Sequence, residues 1–147
     1  MYIITCDKFL KCAKRILAKP SIPEEECRTA ISRAYYSLYH QTLETTKNQY
    51  SHDLINTIER YKKRRLTRNE KIRLNSLDPT FLKNLNFHNL LPKTLTRIGE
   101  RGKAVSFKNF RDLRNQADYD LKRGFPKVDA ITFVNAIESL FNQVKTL

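Results

Sequence analysis

An all-α fold follows from two features of the chain. Only 3 Gly and 5 Pro occur in 147 residues, too few for a turn-rich β fold. Apolar side chains also recur at i, i+3, i+4 and i+7 in several separate segments, the period of helices with one buried face. The length suits one domain spanning residues 1–147. The expected architecture is an up-down helical bundle of four to five helices, with short extra helices in the middle.

The elements can be justified in order. Cys6, Phe9, Leu10, Ala13, Ile16 and Leu17 mark a first helix that Pro20 ends. Ser21-Ile-Pro-Glu24 then carries a capping-box pattern, with Ser21 as the expected N-cap. The second helix runs to about Lys47, with Cys27, Ala30, Ile31, Ala34, Leu38 and Thr42 on one stripe and Tyr35 and Tyr39 beside it. A third helix begins near Ser51 and carries Leu54, Ile55, Ile58 and Tyr61. Residues 74–106 mix Asn, Pro, Gly and scattered Leu, which predicts short helices and loops. Ser106 is expected to cap a helix bearing Phe107, Phe110 and Leu113, and Gly124-Phe-Pro126 breaks the chain again. The last helix has the cleanest stripe: Ala130, Phe133, Val134, Ile137, Leu140, Phe141 and Val144.

Charge narrows the function classes. With 28 Lys and Arg against 15 Asp and Glu, the net charge is +13, which favours polyanionic partners, nucleic acid first, an acidic protein second and an anionic membrane third. Cys6, Cys12 and Cys27 form neither a CxxC pair nor a zinc-spaced set with histidine, and read as reduced, mostly buried thiols. Neither a signal peptide nor a membrane span is legible, so a cytoplasmic protein without membrane partners is expected.

Three constellations stand out. Arg60, Lys62, Lys63, Arg64, Arg65, Arg68, Lys71 and Arg73 crowd one segment with Glu70 as its only acid; such a run suits phosphate contact, though Lys and Arg also favour a helix C-terminus. On the second helix, Arg33, Tyr36 and His40 share a face, since seven residues make two turns. These side chains supply charge stabilisation, base stacking and proton transfer; a packing role for the tyrosines and His40 is the alternative. Finally, Arg111-Asp-Leu-Arg-Asn-Gln-Ala-Asp-Tyr-Asp120 concentrates both charge signs with Asn115 and Tyr119, and Arg114 stands one turn before Asp118, the spacing of an intrahelical ion pair. No metal-ligand set, Gly-rich phosphate loop or nucleophile elbow is present, and no cofactor is expected.

Taken together, Ala30-Ile-Ser-Arg-Ala-Tyr-Tyr-Ser-Leu-Tyr-His40, Leu113-Arg-Asn-Gln-Ala-Asp-Tyr119 and the amphipathic last helix resemble the HEPN superfamily (higher eukaryotes and prokaryotes nucleotide-binding), in its small standalone bacterial form. The resemblance implies a homodimer formed through the late helices. For active members it implies metal-independent RNA cleavage in toxin–antitoxin or phage-defence systems. It further implies a possible nucleotidyltransferase-type antitoxin or other defence partner. The family's catalytic step is an Arg followed by a polar residue, with a His after four to six intervening positions. Arg114 and Asn115 match its first half, whereas position 119 is Tyr.

A composite site is therefore expected. His40 would act as base or acid, Arg33 and Arg114 as electrostatic stabilisers, and Tyr119 as phenolic donor or stacking platform. Tyr36 and Asp118 would support it, and Arg60, Lys62, Lys63, Arg64, Arg65, Arg68 and Arg111 would bind RNA. The alternative is a degenerate module that binds RNA, a nucleotide or a nucleotidyltransferase-type partner without cutting.

Overall fold

The computed structural model describes residues 5–50, 52–77 and 86–147. Among them are seven α-helices and no strand: α1 (Asp7–Leu17), α2 (Glu24–Thr46), α3 (His52–Lys62), α4 (Arg68–Leu77), α5 (Phe87–Arg97), α6 (Arg101–Tyr119) and α7 (Lys127–Lys145). A single 3-10 turn, Lys47–Gln49, follows α2.

The core forms around α2, which packs against α1, α5, α6 and α7. Contact on so many sides explains why α2 buries more than a stripe. Cys27, Ala30, Ile31, Ala34, Tyr35, Leu38 and Tyr39 are all buried, as are the polar Ser37, Thr42 and Thr46. All three hydroxyls have partners. Ser37 Oγ donates to the Cys6 carbonyl at 2.6 Å, and Thr42 and Thr46 donate to carbonyls one turn back at 2.7 Å. Leu10, Ala13 and Leu17 of α1 and Ala130, Val134, Ile137, Leu140, Phe141 and Val144 of α7 complete this side of the core. On the other side stand Phe87, Leu91 and Leu95 of α5 with Ala104, Phe107, Leu113 and Ala117 of α6.

Two expected helix starts differ. Ser21 does not cap α2, because Pro23 takes the N-cap position with extended backbone and no side-chain bond. Glu24, Glu25 and Glu26 instead place their charge against the helix N-terminus. Glu24 is also committed elsewhere, pairing with Arg28 and accepting from the Phe125 N–H at 3.2 Å. Nor does Ser106 cap α6, which begins five residues earlier at Arg101. Gly99, at φ +90°, closes α5, and the chain passes directly into α6 with Glu100 at its N-cap. The apolar stripe of α6 accordingly starts at Ala104 rather than Phe107.

Within residues 74–106, the described residues carry the end of α4, all of α5 and the first turns of α6. Asn86 caps α5, its Oδ1 accepting from the Asn89 N–H at 3.0 Å. Further back, Thr67 accepts from the Glu70 N–H at 3.2 Å and the Glu70 carboxylate returns to the Thr67 hydroxyl, giving α4 its start. No helix among the described residues is long and apolar enough to cross a membrane.

Candidate functional site

The two polar motifs meet where α2 crosses α6. Tyr35 and Tyr36 are neighbours, so their rings leave α2 about 100° apart: Tyr35 enters the core and Tyr36 lies at its edge. Arg114 of α6 sets its guanidinium against both rings, 5.2 Å from the Tyr35 centroid and 5.6 Å from that of Tyr36. It is only 8% exposed. Its Nη1 reaches Asp118 Oδ2 at 3.5 Å, and the same oxygen accepts from Ser32 Oγ at 3.4 Å. The buried Nε has no hydrogen-bond partner, an expensive omission for a charged group. Above this arrangement lies a polar cleft of about 370 Å³ lined by Arg28, Ser32, Arg33, Tyr36 and Asp118, among others.

Arg28 fixes the far end of the cleft. Its Nη1 donates to the carbonyls of Gln116, Ala117 and Asp120 at 3.2, 2.9 and 3.0 Å. Its Nη2 donates to the Arg123 carbonyl and to Glu24, and the guanidinium lies 5.0 Å from the Phe125 centroid. A cation at the C-terminus of α6 meets the carbonyls left unpaired there. Arg28 therefore sets the position of the last turn of α6, which carries Asp118.

A third element, α5, adds a histidine that the sequence left isolated. His88 Nδ1 shares a 2.7 Å hydrogen bond with the Tyr35 hydroxyl, and its ring stacks on Tyr39 at 4.4 Å. Pro92 explains part of this geometry. Lacking an N–H, it leaves the carbonyl four residues earlier, that of His88, without its helical donor. Arg111 takes the vacancy, donating from Nη1 to the His88 carbonyl at 3.3 Å and to Asn89 Oδ1 at 2.9 Å. Arg111 thus ties α6 to α5.

Burial, reinforced by the charges of Arg114, Lys62 and Arg111, pushes the His88 pKa down to about 4. Burial likewise raises the Tyr35 and Tyr39 hydroxyls, the latter to about 12. Both phenols and the His88 imidazole are therefore neutral at pH 7. The linkage has a definite sign: unfolded His88 binds a proton near pH 6.5 and folded His88 only near pH 4. Its contribution is complete above pH 6.5 and is lost as pH falls toward 4. A loss on the order of 2 kcal/mol, discounted for partial exposure, is expected between pH 7 and 4.5. Urea melts of wild type and His88→Phe at both pH values would measure it. The variant should lose less stability than wild type; equal losses would exclude His88 as the source.

The other predicted residues are distributed as follows. His40 is half-buried, stacked 5.5 Å from Phe9 and set edge-on to Tyr39 at 5.1 Å. Its pKa is lowered by burial and then by Lys62. Arg33 lies over the Phe9 ring at 5.9 Å and also lines the cleft. Among the described residues neither hydrogen-bonds to nor stacks on Arg114; Tyr36 lies between Arg33 and His40 along α2. Asn115 is exposed, and Tyr119, at 75% exposure, leaves α6 about 140° around from Arg114. Arg114 and Tyr119 thus face different surroundings.

In the basic segment Lys63, Arg64, Arg65 and Arg68 are exposed. Arg60 is paired with Glu70 at 2.5 Å, and Lys62 lies over the Phe87 ring at 5.6 Å. Among the described residues no group of three His, Cys, Asp or Glu side chains converges on a metal-sized space. The chain matches no protein-family model, no curated protein and no solved structure.

Proposed function

We propose that the chain is an HEPN-like RNA-binding domain in which the α2–α6 cleft holds a segment of RNA. One observation carries this reading: motif segments distant in sequence meet at one polar cleft, Arg114 lying against Tyr36 and Asp118 against Ser32. Arg33 on its lining supplies charge for a phosphate, and Tyr36 supplies an aromatic face for a base. The helices form an up-down bundle that dimerises through α6 and α7. Tyr119, Leu121 and Val128, each at least 74% exposed near the α6–α7 turn, support that arrangement.

In this reading the domain binds without cutting, within a toxin–antitoxin or phage-defence system and beside a nucleotidyltransferase-type partner. The burial of Arg114 and the outward direction of Tyr119 favour binding over cleavage. A second reading, a metal-independent endoribonuclease effector, is favoured by Arg33, Tyr36 and His40 sharing one face of α2. There His40 would move the proton and Arg33 and Arg114 would stabilise the phosphorane charge.

Titrating a labelled single-stranded RNA at several salt concentrations tests both readings, with samples run on a denaturing gel after incubation in chelator. Steeply salt-dependent binding and intact RNA are expected, with affinity about tenfold weaker in an Arg33→Ala/Tyr36→Ala double variant. Cleavage in chelator that His40→Ala abolishes would establish the second reading. Absence of binding even at low salt would reject both.

A further inference from the structure

We infer that the groove between α3 and α4 is a second RNA contact, specific for the phosphodiester backbone, and that Arg64 occupies its strained backbone position for the sake of its charge. The inference rests on the RNA-binding reading but concerns a different surface. The groove has a volume of about 720 Å³ and is lined by Arg60, Lys63, Arg65 and Arg73, with Asn56 and Thr57 beside them. Glu59 and Glu70 also line it, Glu70 being held by Arg60. The exposed Arg64, Arg68 and Lys71 add positive charge to the α3–α4 turn and to α4. Among the described residues no aromatic side chain lines the groove, so it offers no aromatic platform for a base. Such a surface selects phosphates rather than bases.

Backbone geometry provides an independent argument. The end of α3 is closed by Arg65 N–H to the Arg60 carbonyl at 2.8 Å and Arg64 N–H to the Tyr61 carbonyl at 3.0 Å. The end of α5 is closed by the same pair of bonds, Glu100 N–H to Leu95 at 2.8 Å and Gly99 N–H to Thr96 at 3.1 Å. This closure needs a residue in the left-handed region, where glycine is the relaxed choice. At α5 that residue is Gly99, φ +90°; at α3 it is Arg64, φ +55°, the only non-glycine residue with positive φ among those described. A side chain there crowds its own carbonyl. Strain of this kind is retained where surroundings or function require it, and the exposed Arg64 is flanked by the groove-lining Lys63 and Arg65.

Arg64→Gly therefore separates stability from binding. Thermal melts of the full chain should show Tm raised by about 2–5 °C. RNA titrations across salt should show affinity several-fold lower, with the slope of log K against log salt shallower by about 0.7. A Lys63→Glu/Arg73→Glu variant, altered only at surface positions, should lose at least about tenfold in affinity at low salt. Folded variants with the affinity and slope of wild type would overturn the groove while leaving the cleft intact. Wild-type chain that binds polyglutamate but no RNA would overturn both and assign the surface to an acidic protein.

Discussion

Arg28→Ala is expected to lower stability by about 3 kcal/mol. The substitution removes the donors that hold the carbonyls of Gln116, Ala117, Asp120 and Arg123, together with the ion pair to Glu24 and the contact with Phe125. Each charge-assisted bond contributes more than a neutral one, and the orphaned carbonyls would then rely on water. Arg28→Lys should recover less than half of the loss, because one ammonium cannot span these acceptors as a planar fork does. Thermal or urea melts would check this, with a fall in Tm of roughly 10 °C for the alanine variant. A fall below about 2 °C would mean that α6 ends independently of Arg28.

Arg114 gives the second large effect, and its direction depends on what replaces it. Arg114→Ala should cost about 3 kcal/mol: a cavity opens beneath Tyr35 and Tyr36, and Asp118 loses its cation. Arg114→Met fills similar space without a charge to desolvate and without the unpartnered Nε. Its stability should lie within about 1 kcal/mol of wild type. RNA affinity should nonetheless fall in both variants, because the positive charge beneath Tyr36 and beside Asp118, which line the cleft, is gone. A methionine variant as destabilised as the alanine one would show that the charge itself holds α6 to α2.

Secondary structure was legible where one face of a helix is buried. The α7 residues with an unbroken apolar stripe are buried in the core, apart from the half-buried Phe133. Errors came where local signals compete. Ser21 and Ser106 resemble caps, but Pro23 and the Gly99 turn determine where α2 and α6 begin. Thr67-Arg-Asn-Glu70 was a readable capping box, concealed within a segment notable for its charge.

The candidate site was only partly legible. Arg114, Asp118 and Tyr36 stood out because both motifs are dense in polar groups, and they do lie together. Arg28 did not, since its partners are backbone carbonyls almost ninety residues away, which leave no side-chain pattern. His88 lies beyond a stretch without clear periodicity, and its link to Tyr35 exists only in three dimensions. Pro92 was the available clue: a proline within a helix frees the carbonyl four residues earlier, and Arg111 takes it.

Ultraviolet crosslinking of the protein to RNA, followed by identification of the modified peptides, tests the cleft most directly. A crosslink at Tyr36, on the peptide spanning residues 34–47, is the predicted result, and its yield should fall with rising salt as phosphate contacts weaken. Crosslinks confined to other peptides, with residues 34–47 unmodified at saturating RNA, would contradict the α2–α6 cleft as the place where RNA binds.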